Sequence, residues 1–229
     1  MAIRKWLIKI TGGRKVVPWK IWLVAFAALL ITVSTEGSAL AEKLSFRWAI
    51  LADSTEGMRP LDFTGSPIVF SGTALQLYIE HLNNCHVYLY LLDSSSRLTP
   101  IYPPQKGYYD YGFPRGPRLV PPGDQSFTFV PPAGMETMLL LASVDRLFQL
   151  EKLTETFNQN PDQVGQQDLL LQEIEDLLKK EGSRAQAAEG LEKVIVKYTA
   201  AEEIKEKRFK AIKVKSSDFY GRKLLIDHR

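Results

Sequence analysis

The hydrophobic positions of this chain follow three different patterns along its length. A largely apolar run occupies residues 21–33. From about residue 44 to residue 143, short segments alternate between apolar and polar side chains or are apolar throughout, with proline and glycine between them. Alternation places successive side chains on opposite faces of a strand, so this part is predicted to be built from β-strands. Strands are expected at 62–70, Ala74–His81, His86–Leu92, 126–130 and 138–142.

After Ser143 the apolar residues recur every three or four positions, which predicts helices. The first series is Leu147, Leu150, Leu153 and Phe157, and the second is Leu170, Ile174, Leu177 and Leu178. A third helical stretch is expected at residues 191–198, because alanine, glutamate and lysine flank its β-branched centre. The mixed glutamates and lysines of 202–210 are expected to form the solvated face of a helix.

Alternation returns at residues 211–215 and 223–227, which predicts a terminal β-hairpin that adds strands to the same sheet. The predicted fold class is therefore α+β, with an antiparallel β-sandwich followed by a helical segment and a C-terminal β-hairpin. The predicted parts are a signal peptide at 1–41, a sandwich domain at 42–145, a helical segment at 146–204 and the hairpin at 205–229.

The N-terminal segment has the composition of a secretory signal peptide. Its basic residues, with no acid among them, are Arg4, Lys5, Lys9, Arg14, Lys15 and Lys20. The small residues Ala39 and Ala41 follow the apolar run at the positions that a signal peptidase requires. The run has 13 residues, fewer than the roughly 20 that span a bilayer. Cleavage after Ala41 and export to the periplasm or the extracellular space are expected, while the long basic region leaves a retained membrane anchor open as the alternative.

Cleavage would change the charge of the chain. The remaining 188 residues carry 23 basic and 25 acidic side chains, so the sequence pI near 8.8 belongs mostly to the leader. Nucleic acid is therefore not an expected partner. Membrane contact is expected only through the N-terminal segment, if that segment is not cleaved. The single cysteine, Cys85, excludes an internal disulfide, and we expect it to be buried at a strand edge, with intermolecular pairing as the alternative.

The loop at 103–122 is the best candidate for a binding surface. It contains closely spaced aromatic residues and two arginines, namely Tyr108, Tyr109, Tyr111, Phe113, Arg115 and Arg118. Tyrosine provides a large contact area at low entropic cost, which suits a platform for a glycan, a proline-rich segment or a partner protein. In the alternative, these rings fold back and cap an open end of the sandwich.

Other reactive side chains give weak signals. Cys85 and His86 are adjacent on a predicted strand, so their side chains point to opposite faces. His228 is expected to be solvated in the terminal strand, and three histidines with one cysteine do not predict a metal site or a cofactor. The carboxylates expected in turns or loops, where they serve turn chemistry or solubility, are Asp93, Asp110, Asp124 and Glu136.

An ordered set of short motifs between Ser71 and Ser143 resembles the bacterial family called domain of unknown function 4384 (DUF4384). The motifs are Gly72 with strand 75–79, strand 87–92 with Asp93, residues 101–103, 119–123, 132–136 and 139–143. The sequence departs from the family pattern at 94–96, where three serines replace a glycine turn, and in the aromatic insert at 108–113. The resemblance implies a β-sandwich module of exported or envelope proteins, with no settled activity and no catalytic residues.

These observations predict an exported, non-enzymatic envelope protein that binds a protein or an envelope polymer. The alternatives are a hydrolase that acts on envelope material and a purely structural envelope component. Two facing carboxylates in a pocket, or Cys85 beside a histidine in space, would favour the hydrolase. Burial of the aromatic rings of the loop would favour the structural component.

Overall fold

Within the described residues, two β-sheets face each other and two helices cover the outer side of one sheet. The structure is a computed structural model that describes residues 43–112, 116–180, 187–200 and 202–229. In chain order its elements are β1 (Leu44–Ala52), β2 (Arg59–Pro60), β3 (Ile68–Val69), β4 (Ala74–His81), β5 (His86–Leu92), β6 (Leu98–Tyr102), β7 (Gly116–Val120), β8 (Phe127–Thr128), β9 (Gly134–Ser143), α1 (Phe148–Gln159), α2 (Gln166–Lys180), β10 (Ala187–Ala200), β11 (Glu203–Ser216) and β12 (Phe219–His228).

The strand order shows how the chain is shared between the sheets. The first sheet has the order β10-β11-β1-β4-β7, with β2 beside β1 and β8 beside β4. The second sheet has the order β3-β12-β9-β5-β6. Neighbouring strands are antiparallel except β3 and β12, which are parallel. The predicted fold class, an α+β protein with an antiparallel β-sandwich, is confirmed.

The main core lies between the inner faces of the two sheets. Phe46 of β1 meets Tyr220 of β12 across it, with ring centroids 5.7 Å apart. The predicted alternation in β4 is confirmed on this side, where Leu75, Leu77 and Ile79 are buried. The opposite face of β4 is also covered, which alternation alone does not predict.

The helices pack on the outer face of the second sheet and are fixed there by side-chain hydrogen bonds. The Tyr88 hydroxyl donates to Glu151 over 2.7 Å, and the Tyr90 hydroxyl lies 2.9 Å from the Thr154 hydroxyl. Both predicted helices are present, with Leu150 of α1 and Ile174 of α2 fully buried. No helix within the described ranges has the length and apolarity needed to cross a membrane.

The third predicted helix is wrong, because residues 191–198 lie in strand β10. Residues 203–210, predicted as a solvated helix face, lie in β11, and β10 and β11 pair along their full length as a hairpin arm. The arm covers the outer face of the first sheet, where Phe209 meets Tyr78 at a ring distance of 5.1 Å. Its β-branched centre, Val194 to Val196, suits this strand conformation.

The predicted terminal hairpin is wrong in its pairing, although both of its strands exist. β11 lies in the first sheet between β1 and β10, while β12 lies in the second sheet between β3 and β9. The chain crosses between the sheets at residues 217–218, where the Ser216 hydroxyl donates to the Phe219 carbonyl over 2.6 Å. Since both edges of β11 are occupied, β12 pairs elsewhere.

Smaller differences concern the predicted strands and loop. Of the strand expected at 62–70, only Ile68–Val69 pairs, because Asp62 forms a turn in which it accepts the Thr64 N–H over 2.9 Å. β1, central to the first sheet, is missing from the predicted strands, and β7 lies within the predicted loop. The predicted signal segment with Ala39 and Ala41, together with Phe113 and Arg115, lies outside the described residues.

Candidate functional site: a groove at the edge of the sandwich

A groove of about 960 Å³ follows the edge of the sandwich where β6 and β7 are the last strands of their sheets. We call it the edge groove. The residues that line its rim are proline and aromatic residues of two loops and the first turns of α1, among them Pro104, Tyr108, Pro122, Phe127 and Phe148. Its floor consists of core residues such as Ile50, Leu77 and Leu89, which are 3%, 3% and 1% exposed. The open surface of the groove is therefore the rim.

Tyr109 is 8% exposed and belongs to the wall of the core, as the alternative in which the rings fold back onto the sandwich predicts. Pairing between β5 and β6 begins only at Leu89, so the backbone of Val87 has no strand partner on that side. The Tyr109 hydroxyl accepts from the Val87 N–H over 2.9 Å and donates to the Val87 carbonyl over 2.7 Å. The hydroxyl thus makes the two hydrogen bonds that a neighbouring strand would otherwise make. Buried backbone groups need such partners. Burial raises the pKa of Tyr109 well above its ordinary value.

Tyr108 is half-buried and lies at the end of a hydrogen-bonded chain. His81 contacts the Cys85 carbonyl through Nδ1 at 2.9 Å and the Tyr102 hydroxyl through Nε2 at 3.0 Å. The Tyr102 hydroxyl donates in turn to that of Tyr108 over 3.0 Å. The Tyr108 ring is thus held in a fixed position with one side on the groove.

Tyr111 and Arg118, the other predicted binding residues that the structure describes, lie outside the groove. Tyr111 is fully exposed beyond the groove, and Arg118 is exposed on β7. Neither side chain lines the groove. Among the predicted binding residues that the structure describes, Tyr108 and Tyr109 alone come together at this site. The sequence analysis missed the contributions of Pro104, Pro122, Phe127 and Phe148, which come from separate segments.

Five of the six charged side chains that line the groove pair with one another, and the sixth, Lys152, is exposed. Arg146 bridges Asp110 and Glu151, with nitrogen–oxygen distances of 2.6 Å to each carboxylate. The hydrogen bond to Glu151 is the main cause of the raised pKa of Arg146. Lys106 contacts Glu155 on the same side of the groove. Because cations and carboxylates neutralise one another here, the mouth suits an uncharged ligand.

Cys85 lies beside a histidine in space, but the partner is His81 and not the adjacent His86. The thiol sulfur is 3.7 Å from His81 Nδ1 and 3.6 Å from the Ser45 carbonyl. The predicted burial is confirmed, since Cys85 is 0% exposed. Burial raises the pKa of the thiol to about 12, so it is protonated and a poor nucleophile near neutral pH.

His228 and Glu136 are buried, which corrects the prediction that one is solvated and the other lies in a turn. His228 Nδ1 is 3.0 Å from Glu136 Oε1, and His228 Nε2 is 2.8 Å from the Ser71 hydroxyl. The order resembles a serine–histidine–acid chain. However, the His228 side chain is 0% exposed, and the N–H groups of Ser71 and Gly72 already donate to backbone carbonyls. The cluster therefore fastens the last strand to the sandwich.

Within the described ranges, no three His, Cys, Asp or Glu side chains are grouped in a way that could hold a metal ion. No family model, curated protein or solved structure matches this chain. The resemblance to DUF4384 thus stays a prediction.

Proposed function

We propose that the protein is an exported, non-enzymatic envelope module that binds an uncharged stretch of a partner protein or envelope polymer along the edge groove. The observation that carries this proposal is the groove itself, with its proline and aromatic rim and its neutralised mouth. Sites of this kind combine apolar walls with a few fixed polar groups.

The edge strands support binding through side chains and not through strand addition. β6 contains Pro100 and β7 contains Pro117. Proline lacks the N–H that a pairing strand needs, so it protects sheet edges from added strands. A ligand at this edge therefore contacts rings and proline faces.

The tight floor supports a polymer in preference to a buried small molecule. The floor residues Ile50, Leu77 and Leu89 pack almost without exposure, so a ligand that entered the core would have to separate the sheets. An extended chain lying on the rim needs no such movement.

The reactive groups support a binding role over hydrolysis. Asp110 and Glu151 both bind Arg146, which holds them as hydrogen-bond acceptors. A glycosidase needs one carboxyl group free to protonate the leaving group. Cys85 is protonated and fully buried, which disfavours it as a nucleophile.

A titration with defined probes tests the proposal. An uncharged N-acetylglucosamine oligomer and a proline-rich peptide without charged side chains would be titrated separately against wild type and a Tyr108→Ala/Phe148→Ala variant. Loss of two rim rings is expected to weaken binding about tenfold or more, as for central interface residues. Tyr111→Ala, which changes a fully exposed ring outside the groove, is the matched control.

The possible outcomes distinguish binding at the edge groove from binding at the exposed loop and from a purely structural role. Weakening by Tyr111→Ala alone would move the site to the exposed loop, as the sequence predicts. Equal binding by all variants would remove the groove as the site. The buried position of Tyr109 favours the structural alternative, and the absence of binding to either probe would support that alternative.

A further inference from the structure

The two faces of the hairpin arm differ in a regular way. Val194, Val196 and Phe209 point to the sandwich and are 8%, 2% and 8% exposed. The alternate residues of both strands point away from the sandwich and are exposed from 191 to 199 and from 204 to 210. We call these alternate residues the outer face of the arm. It is a nearly continuous two-stranded surface.

The outer face carries large aliphatic side chains in contact with solvent. Leu191, Ile195 and Ile204 are 68%, 55% and 80% exposed. Their alternation with the covered residues shows that they are not part of the small core beneath the arm. In register the three residues lie four positions apart along the face, since Ile204 is opposite Thr199, and Lys193 and Lys197 lie between them.

The same face is strongly basic. It carries Lys193, Lys197, Arg208 and Lys210 against a single acid, Glu206, which contacts Arg208. Lys193 lies directly opposite Lys210 across the two strands. Among the described residues, none makes a hydrogen bond or an ion pair with the side chain of Lys193, Lys197 or Lys210. Like charges placed opposite each other on a sheet are destabilising, so this arrangement favours an anionic partner.

We propose that the outer face of the arm docks on a membrane surface that contains anionic lipid headgroups. The lysines and the arginine contact headgroup phosphates, and the aliphatic side chains enter the boundary between headgroups and acyl chains. This contact is independent of the edge groove and does not require the N-terminal segment, through which membrane contact is expected only if that segment is not cleaved.

The combination of side chains distinguishes a membrane from other anionic partners. Single-stranded nucleic acid is bound by aromatic rings that stack on bases, and the outer face has no aromatic residue. An acidic polymer would contact the cations but provides little apolar surface for Leu191, Ile195 and Ile204. A lipid surface accepts both kinds of side chain.

Co-sedimentation with lipid vesicles tests the proposal on the protein purified from cells that express the full chain. Binding is compared on phosphatidylcholine vesicles with and without phosphatidylglycerol. Each cation contributes about fivefold to membrane partitioning, so Lys193→Glu/Lys210→Glu is expected to lower binding to anionic vesicles at least about 25-fold. Lys43→Glu/Lys179→Glu makes the same charge change at exposed positions outside the outer face of the arm and should leave most of the binding.

A second variant separates membranes from acidic polymers. Leu191→Ser/Ile204→Ser keeps every charge and is expected to lower vesicle binding several-fold while leaving binding to polyglutamate unchanged. All variants have the same N-terminal sequence, so differences in vesicle binding between them are due to the arm. Circular dichroism checks that each charge variant is folded. If one is not, the serine variant and the salt dependence of vesicle binding by wild type test the proposal instead.

Three results would overturn the proposal. The first is equal binding to the two kinds of vesicle. The second is an equal loss in the control variant, which would assign the effect to net charge. The third is serine substitution without effect together with displacement by polyglutamate, which would assign the face to an acidic polymer.

Discussion

At the scale of single residues, one hydroxyl replaces part of a missing strand. Tyr109 satisfies both backbone groups of Val87, which lies beyond the end of β6 at Tyr102. The sequence places this tyrosine in an aromatic loop but does not reveal that its hydroxyl reaches a strand 22 positions away. The sequence alone therefore leaves open whether this ring forms a binding surface or caps the sandwich, whereas the structure shows that its hydroxyl bonds to the sheet.

Tyr109→Phe is expected to destabilise the protein by about 1–3 kcal/mol, because it leaves a buried N–H and a buried carbonyl without partners. Thermal or urea unfolding measures the change. Tyr111→Phe, at a fully exposed ring in the same loop, should change stability by less than about 0.5 kcal/mol. Equal stability of the two variants would contradict this role for Tyr109.

Cys85 makes stability depend on pH in alkaline solution. Its thiol pKa rises from the ordinary 9.0 to about 12 in the folded protein, because burial disfavours the thiolate. The unfolded chain then releases a proton that the folded chain keeps, so stability is complete below about pH 9 and is lost as pH rises toward 12.

Wild type is therefore expected to lose stability relative to Cys85→Ala above pH 9, by at most about 1.4 kcal/mol per pH unit. Urea unfolding of both proteins across this range measures the difference. The buried tyrosines are present in both proteins, so their contributions cancel in the stability difference. Parallel stability curves would show that the thiol is not shielded from water.

At the scale of elements, the hairpin arm shows where local patterns stop being decisive. Alanine, glutamate and lysine around residues 191–198 favour a helix, whereas Val194 to Val196 favour a strand. The choice is made by Tyr78, Leu51 and Ala49 of the first sheet, which offer an apolar surface to alternate residues of the arm. None of these is near the arm in sequence.

Phe209→Ala is expected to cost about 3 kcal/mol and to loosen the arm while the sandwich stays folded, because Phe209 packs in the small outer core and not between the sheets. Hydrogen exchange at residues 192–199 and 204–210 should become faster, with no change in β5 and β9. The control is Ile195→Ala on the outer face. Uniform acceleration throughout the molecule would contradict a separable arm.

At the scale of the whole molecule, the C-terminal strands complete both sheets. β11 extends the first sheet and β12 lies within the second, so the last 27 residues join the two layers. The buried contact of His228 with Glu136 and its partly buried contact with Ser71 span 92 and 157 positions and fasten the end of the chain. A truncation before β12 should therefore abolish folding.

Export is checked on the whole chain. The protein recovered from envelope fractions is expected to begin at Glu42, because the small residues Ala39 and Ala41 mark a cleavage site. N-terminal sequencing or intact mass spectrometry measures this. Recovery of the intact chain from the membrane would support the retained anchor, and recovery from the cytoplasm would contradict export.

The sequence by itself determined the features that depend on neighbouring residues. The extents of Ala74–His81 and His86–Leu92, the two helices and the α+β sandwich class follow from local periodicity, since period and burial are coupled within one element. The tertiary structure decided the sheet to which each terminal strand belongs, the strand conformation of residues 191–198, the inward position of Tyr109 and the assembly of the edge groove. These depend on surfaces brought together from distant positions, and a local pattern contains no information about which distant surface a residue will meet.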